Sequence, residues 1–132
     1  MKNIAITENH LYKKAYVGGK KAGGRFAVVY VLKDKKAFVL KKANPQKEYV
    51  NRIGLTVSKK IGGAVQRNRA KRVIRAALAE IQRTRPMKKG YLIVISAREA
   101  ATEAKSTEIC EEMLRQFEKL DMYTANAEED KV

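Results

Sequence analysis

A chain of 132 residues is the length of one domain, and its apolar content supplies a core that needs neither metal nor disulfide staples. It carries 29 Lys and Arg against 14 Asp and Glu, a net charge of +15, so a polyanionic partner is the first expectation, nucleic acid ahead of an anionic membrane surface. The lone cysteine, Cys110, excludes an intramolecular disulfide, apolar runs such as Phe26 to Leu32 are too short for a membrane span, and the start MKNIAITEN lacks the apolar stretch of a secretory signal. A cytoplasmic protein with no membrane partner is expected.

The elements follow in chain order. Leu11 to Val17 reads as a short helix with Leu11, Tyr12, Ala15 and Tyr16 on one side. Gly18, Gly19, Gly23 and Gly24 bracket a lysine-rich turn or short edge strand. Arg25 to Lys33 is β-branched and aromatic, a strand with Phe26, Val28, Tyr30 and Leu32 on one face and Ala27, Val29 and Val31 on the other. Asp34 to Glu48 is a polar connection, long enough that Ala37–Leu40 is expected to be partly structured. Tyr49 to Ser58 reads as the next strand, and Gly54 inside it marks a bulge or a close backbone approach.

Lys59 to Gly63 is a basic turn, and Ala64 to Thr84 reads as a helix that stops ahead of Pro86. Tyr91 to Ser96 is a nearly continuous apolar strand, buried on both faces. Ser106 to Tyr123 is an amphipathic helix with the stripe Ile109, Met113, Leu114, Phe117 and Leu120. One domain over residues 1–122 is expected, with 123–132 as an acidic, flexible tail. The class is α+β: a two-layer sandwich with helices packed on a small mixed sheet.

Charge concentrates in one place. Of the ten residues Gln66 to Arg75, five are cationic, and no acid occurs anywhere from Lys59 to Arg75. Helical projection puts Ala70, Val73, Ile74, Ala77, Leu78 and Ile81 on one arc, facing the sheet. Asn68, Arg69, Arg72 and Arg75 fall outside it, and Arg67 and Lys71 border it. Like-charge pairs at this spacing each cost roughly 0.2–0.5 kcal/mol, and a solvated surface helix alternates its signs. Arginine instead offers a planar fork for phosphate and a plane for base stacking. Asn68 suits a base edge, a ribose hydroxyl or a cap at the start of the helix.

Signals for protein-borne chemistry are weak. His10 is the only histidine, Gly62-Gly63 lacks the following Lys-Ser/Thr of a phosphate-binding loop, and Glu80, Glu99 and Glu103 have no paired-acid spacing. No metal site and no organic cofactor is expected in the protein. Cys110 reads as a buried small hydrophobe.

The run Lys59 to Arg75, KKIGGAVQRNRAKRVIR, with GLTVS (Gly54–Ser58) before it, closely resembles the signature of the bacterial ribonuclease P protein subunit. The helix with aromatics, the VVYV strand, the YLIVIS strand and the final amphipathic helix follow in the family's order, so the resemblance spans roughly residues 8–122. It implies the fold α-β-β-β-α-β-α with a left-handed β-α-β crossover, where the general rule is right-handed.

The resemblance further implies a non-catalytic subunit of ribonuclease P, a tRNA 5′-processing endoribonuclease. The partner ribonuclease P RNA would carry the catalysis with Mg²⁺ and remove the 5′ leader of precursor tRNA. No obligate protein partner is implied. The match places Lys59, Lys60, Arg67, Asn68, Arg69, Lys71, Arg72 and Arg75 in the RNA-contacting motif. Tyr12, Tyr16 and Tyr30 fall at the positions that line the leader cleft, where phenylalanine is commoner at the first two. Two stretches depart from the family: Asn3 to Thr7 lacks the usual basic lead-in, and the Asp34–Glu48 connection is longer. A structural RNA-binding protein of ribosomal type would share the charge but would not need the tyrosine-lined cleft.

Overall fold

The computed structural model describes residues 4–6, 8–35 and 51–124. Its elements are β1 (Ile4–Ala5), α1 (Asn9–Gly18), β2 (Lys20–Ala22), β3 (Ala27–Lys33), β4 (Arg52–Thr56), α2 (Ala64–Thr84), β5 (Tyr91–Ala97) and α3 (Ser106–Lys119). Single 3₁₀ turns at Lys59–Ile61 and Glu99–Thr102 lead into α2 and α3. The strands form one mixed sheet in the order β1-β4-β5-β3-β2. β4 pairs parallel with β5 and with β1, while β3 is antiparallel to both β5 and β2. Helix α2 is therefore the crossover between the parallel neighbours β4 and β5. The α+β class and the element order are those expected; the two-residue β1, too short to leave a periodic signal, is an addition.

Period-two alternation divides the sheet into two faces. Ala27, Val29, Val31, Ile93 and Ile95 point into the main core, which α2 closes with Ala70, Val73, Ile74, Ala77, Leu78 and Ile81, and α3 closes with Ile109, Met113 and Phe117. All six apolar positions projected onto the inner arc of α2 are buried. Leu92 and Val94 point the other way and meet Ile6, Leu11 and Ala15, with Tyr12, Tyr30 and Leu32 packed around them. Two layers were expected; α1 forms a partial third. The cause is β5, whose continuous apolar run has a face to cover on each side.

Local chemistry sets the ends. Arg85, ahead of Pro86, is extended (φ −136°, ψ 129°), and α2 stops there. Helix α3 ends at Lys119, short of the expected Tyr123, because Asp121 turns the chain through the left-handed region at φ 58°. Tyr123 then bridges to Met87, donates its hydroxyl to the Leu114 carbonyl (3.0 Å), and lies under the Arg85 guanidinium at 3.8 Å. Burial pushes its phenol up to about 12, against the pull of Arg85. Tyr123, one residue past the expected boundary, is thus tied to α2 and α3. The Ala37–Leu40 expectation and residues 125–132 of the tail lie outside the described residues.

Buried polar groups tie the sheet together. Asn51 is fully buried, donating to the Lys88 carbonyl (3.0 Å) and accepting from the Tyr91 amide (2.9 Å). Arg52 forks onto Asp34 (2.6 and 2.8 Å), which raises its pKa. Glu112, in the apolar stripe of α3, accepts from the amides of Arg25, Phe26 (3.0 Å) and Ala27 (3.2 Å). Gln116, one turn on, donates to the carbonyls of Ala22 (3.1 Å) and Ala27 (2.8 Å). Together they hold the β2–β3 turn to α3.

Candidate nucleic-acid interface

The basic motif starts three residues beyond β4, at Lys59. Ser58 accepts from the Lys60 amide (3.2 Å) and fixes the 3₁₀ turn that exposes Lys59 and Lys60. Gly62 has φ +150°, a backbone that side chains rarely allow, and Gly63 caps α2. Because the cap is Gly63, Asn68 has no capping role; it lies exposed in the second turn. Arg72 and Arg75 are exposed, while Arg67 and Lys71 are half-buried beside the apolar arc. The Arg67 Nε is shielded from solvent without a hydrogen-bond partner. Among the described residues no carboxylate reaches ion-pair distance of Lys59, Lys60, Arg67, Lys71, Arg72 or Arg75.

Arg69 is different. Its Nε donates to the Thr102 carbonyl (2.8 Å) and its Nη2 to the Ala104 carbonyl (3.2 Å). Projection puts it outside the apolar arc, among the outward cations, yet half of it is covered by the β5–α3 connection. A helical wheel knows the phase of a residue and not what the rest of the chain folds over it. Arg69 is accordingly a tether of that connection, and its charge is only partly available outward.

The three tyrosines gather on the opposite face of the sheet. The Tyr16 and Tyr30 rings meet edge to face, with centroids 4.8 Å apart at 80°. Tyr16 is 40% exposed, so its ring is accessible. Its hydroxyl sits 3.2 Å from Thr56 Oγ1 and 3.3 Å from Ser96 Oγ, which are themselves 2.8 Å apart. Thr56 and Ser96 were not singled out from the sequence. The available signal was strand phase, since both lie on the face of Tyr30. Tyr12 is half-buried, donates to the Ile6 carbonyl at 3.4 Å, and has its pKa raised by burial and by Tyr16. Phe26, which the alternation put on the Tyr30 face, precedes β3 and packs against the main core instead.

Gly54 explains how Tyr12 fits. A Cβ there would lie 2.5 Å from the Tyr12 ring, so glycine is required by close approach. Gly54→Ala is expected to displace that ring at a cost of about 1–3 kcal/mol. Thermal denaturation checks the stability, and leader-dependent RNA binding checks the site.

The tyrosine face and the basic motif meet at the C-terminal ends of β4 and β5, where Thr56 leads through Ser58 to Lys59. Among the described residues no group of three or more His, Cys, Asp or Glu side chains is placed to hold a metal ion. His10 is exposed and contacts Glu8 at 3.2 Å, and Glu80 pairs with Arg83 at 2.6 Å. Cys110 is half-buried against the core, with its thiol pushed up by burial. Among the described residues no helix is long and apolar enough to cross a membrane.

Comparison with known proteins identifies the family. The family model Ribonuclease P matches residues 1–121. A ribonuclease P protein component from Dehalococcoides mccartyi is 36% identical over 104 residues, covering 79% of this chain and 73% of that one. One from Clostridium botulinum strain Loch Maree is 30% identical over 123 residues, covering 93% and 99%. The ribonuclease P protein of Staphylococcus aureus, solved at 2.0 Å, superposes with a TM-score of 0.70 over 93% of this chain and 100% of its own at 24% identity, and so supports the fold. With its basic helix, its tyrosine face and these matches, the chain belongs to the ribonuclease P protein family.

Proposed function

We propose that this chain binds ribonuclease P RNA through the outward cations of the basic motif, and the 5′ leader of precursor tRNA across Tyr16 and Tyr30, with Tyr12 supporting them. The observation that carries this reading is the junction of two dissimilar surfaces. One is a cation face without carboxylate partners among the described residues, fit for phosphates. The other is an accessible aromatic pair, fit for unstacked bases at roughly 1–3 kcal/mol per base. A ribosomal-type RNA-binding protein needs the first surface and not the second.

In this reading the RNA partner does the cutting. Mg²⁺ would be held by that RNA, where it would supply Lewis-acid chemistry. The protein orients the substrate by gripping its leader, and its cations lower repulsion between two RNAs. No step is assigned to a protein carboxylate, because the described acids do not converge. The chain would work in the cytoplasm, with no membrane contact.

The direct test is processing of a labelled precursor tRNA at low Mg²⁺ by the protein alone, a cognate ribonuclease P RNA alone, and both together. Cleavage at the mature 5′ end only with both, or much faster with both, is the expected outcome. Cleavage by the protein alone, with contaminating RNA excluded, would overturn it. Tyr16→Ala is expected to weaken binding of leader-bearing precursor about ten-fold, the loss of roughly one stacked base. Mature tRNA binding should hardly change; equal loss for both substrates would remove the cleft assignment.

A further inference from the structure

Lys20 and Lys21 are consecutive exposed residues of β2, the strand at one edge of the sheet. Their register separates them. Lys21 is paired with Tyr30 and Lys20 with Val31. Residues directly opposite one another share a face. Tyr30 belongs to the α1 side of the sheet and Val31 to the core under α2 and α3. Lys21 thus stands on the tyrosine side, and Lys20 on the other.

The pairings also define a row across the sheet: Lys21, Tyr30, Val94, Gly54. Tyr12 of α1 covers the Gly54 end. At the other end, among the described residues, β2 has no further strand beside it. A strand of RNA with a base against the Tyr30 ring has a way out toward β2. Its sugar-phosphate backbone then meets Lys21 one strand spacing away, about 5 Å. Among the described residues no carboxylate is within ion-pair distance of Lys21.

We propose that Lys21 is a phosphate-binding residue of the tyrosine cleft, holding the backbone of the single strand whose base lies on Tyr30. The proposal rests on the leader-cleft reading above. A lysine suits this place because an ammonium on a flexible stem meets a phosphate as a point charge, without fixed geometry. Lys20 is its built-in control: the same charge on the same strand, facing away.

The test uses the complete ribonucleoprotein and measures affinity for precursor tRNA with and without its leader, across a salt series. For Lys21→Ala, affinity for leader-bearing RNA should fall about three-fold or more, and the salt slope should drop by about 0.7, the value for one single-strand phosphate. Leaderless RNA should bind as before, and Lys20→Ala should change neither. Equal effects of the two lysine variants, or an equal loss with leaderless RNA, would overturn the proposal. Tyr30→Ala separates the levels. If it abolishes leader preference while Lys21→Ala does nothing, the lysine proposal fails alone; if it too does nothing, the cleft reading fails and takes the proposal with it.

Discussion

Glu112→Ala is expected to destabilise the fold by about 3–5 kcal/mol, a large fraction of the roughly 5–15 kcal/mol that holds a domain together. The side chain is 8% exposed and receives the amides of Arg25, Phe26 and Ala27. Alanine would leave those donors without their acceptor, at about 1–3 kcal/mol for each one that water does not reach. Gly24 is pressed against the same carboxylate, so little room for water exists beforehand. A melting temperature about 15 °C lower is the expected reading. Glu112→Gln keeps one acceptor oxygen and should fall between the two. A loss under about 1 kcal/mol would mean that the β2–β3 turn relaxes and solvates its own amides.

The second large effect concerns RNA. Arg72→Ala with Arg75→Ala removes two exposed cations that have no acidic partner among the described residues. Affinity for the partner RNA should fall on the order of ten- to a hundred-fold near physiological salt, and the slope of log affinity against log salt should drop by about two. The melting temperature should hold or rise, because like-charge repulsion at i,i+3 spacing is relieved. Arg69→Ala should behave in the opposite sense. It gives up hydrogen bonds to Thr102 and Ala104, so stability falls, while the salt slope changes less. Identical slopes for Arg69→Ala and for either outward arginine would contradict this division of labour.

The contrast between these residues shows how much the sequence carries. Ala70, Val73, Ile74, Ala77, Leu78 and Ile81 were legible because burial in a helix follows a fixed period, and all six are buried. The tyrosines were legible through the family resemblance and through aromatic character, and they meet on one face. Glu112 was not singled out from the sequence. Yet its phase, three residues after Ile109 and one before Met113, lies within the apolar stripe. What periodicity could not say was which backbone amides wait there, since they belong to a turn more than eighty residues earlier in the chain. The tether made by Arg69 was hidden for the same reason: its acceptors come from a connection distant in sequence. Strand phase could have separated Lys20 from Lys21, but only once the register of β2 was known.

Strand order has a consequence for how the chain acquires its shape during synthesis. β5 lies between β3 and β4, yet it is the last of the described strands to be made. Until residues 91–97 leave the ribosome, β3 and β4 have no common neighbour, Leu92 and Val94 are missing from beneath α1, and Ile93 and Ile95 are missing from beneath α2. The cationic helix therefore emerges before the surface that packs its apolar arc. Folding is held back by long-range pairing and not by local helix formation. Throughout that interval the nascent chain offers polyanions an unfolded cationic segment, so RNA present at that stage meets a binding element that has not yet been positioned.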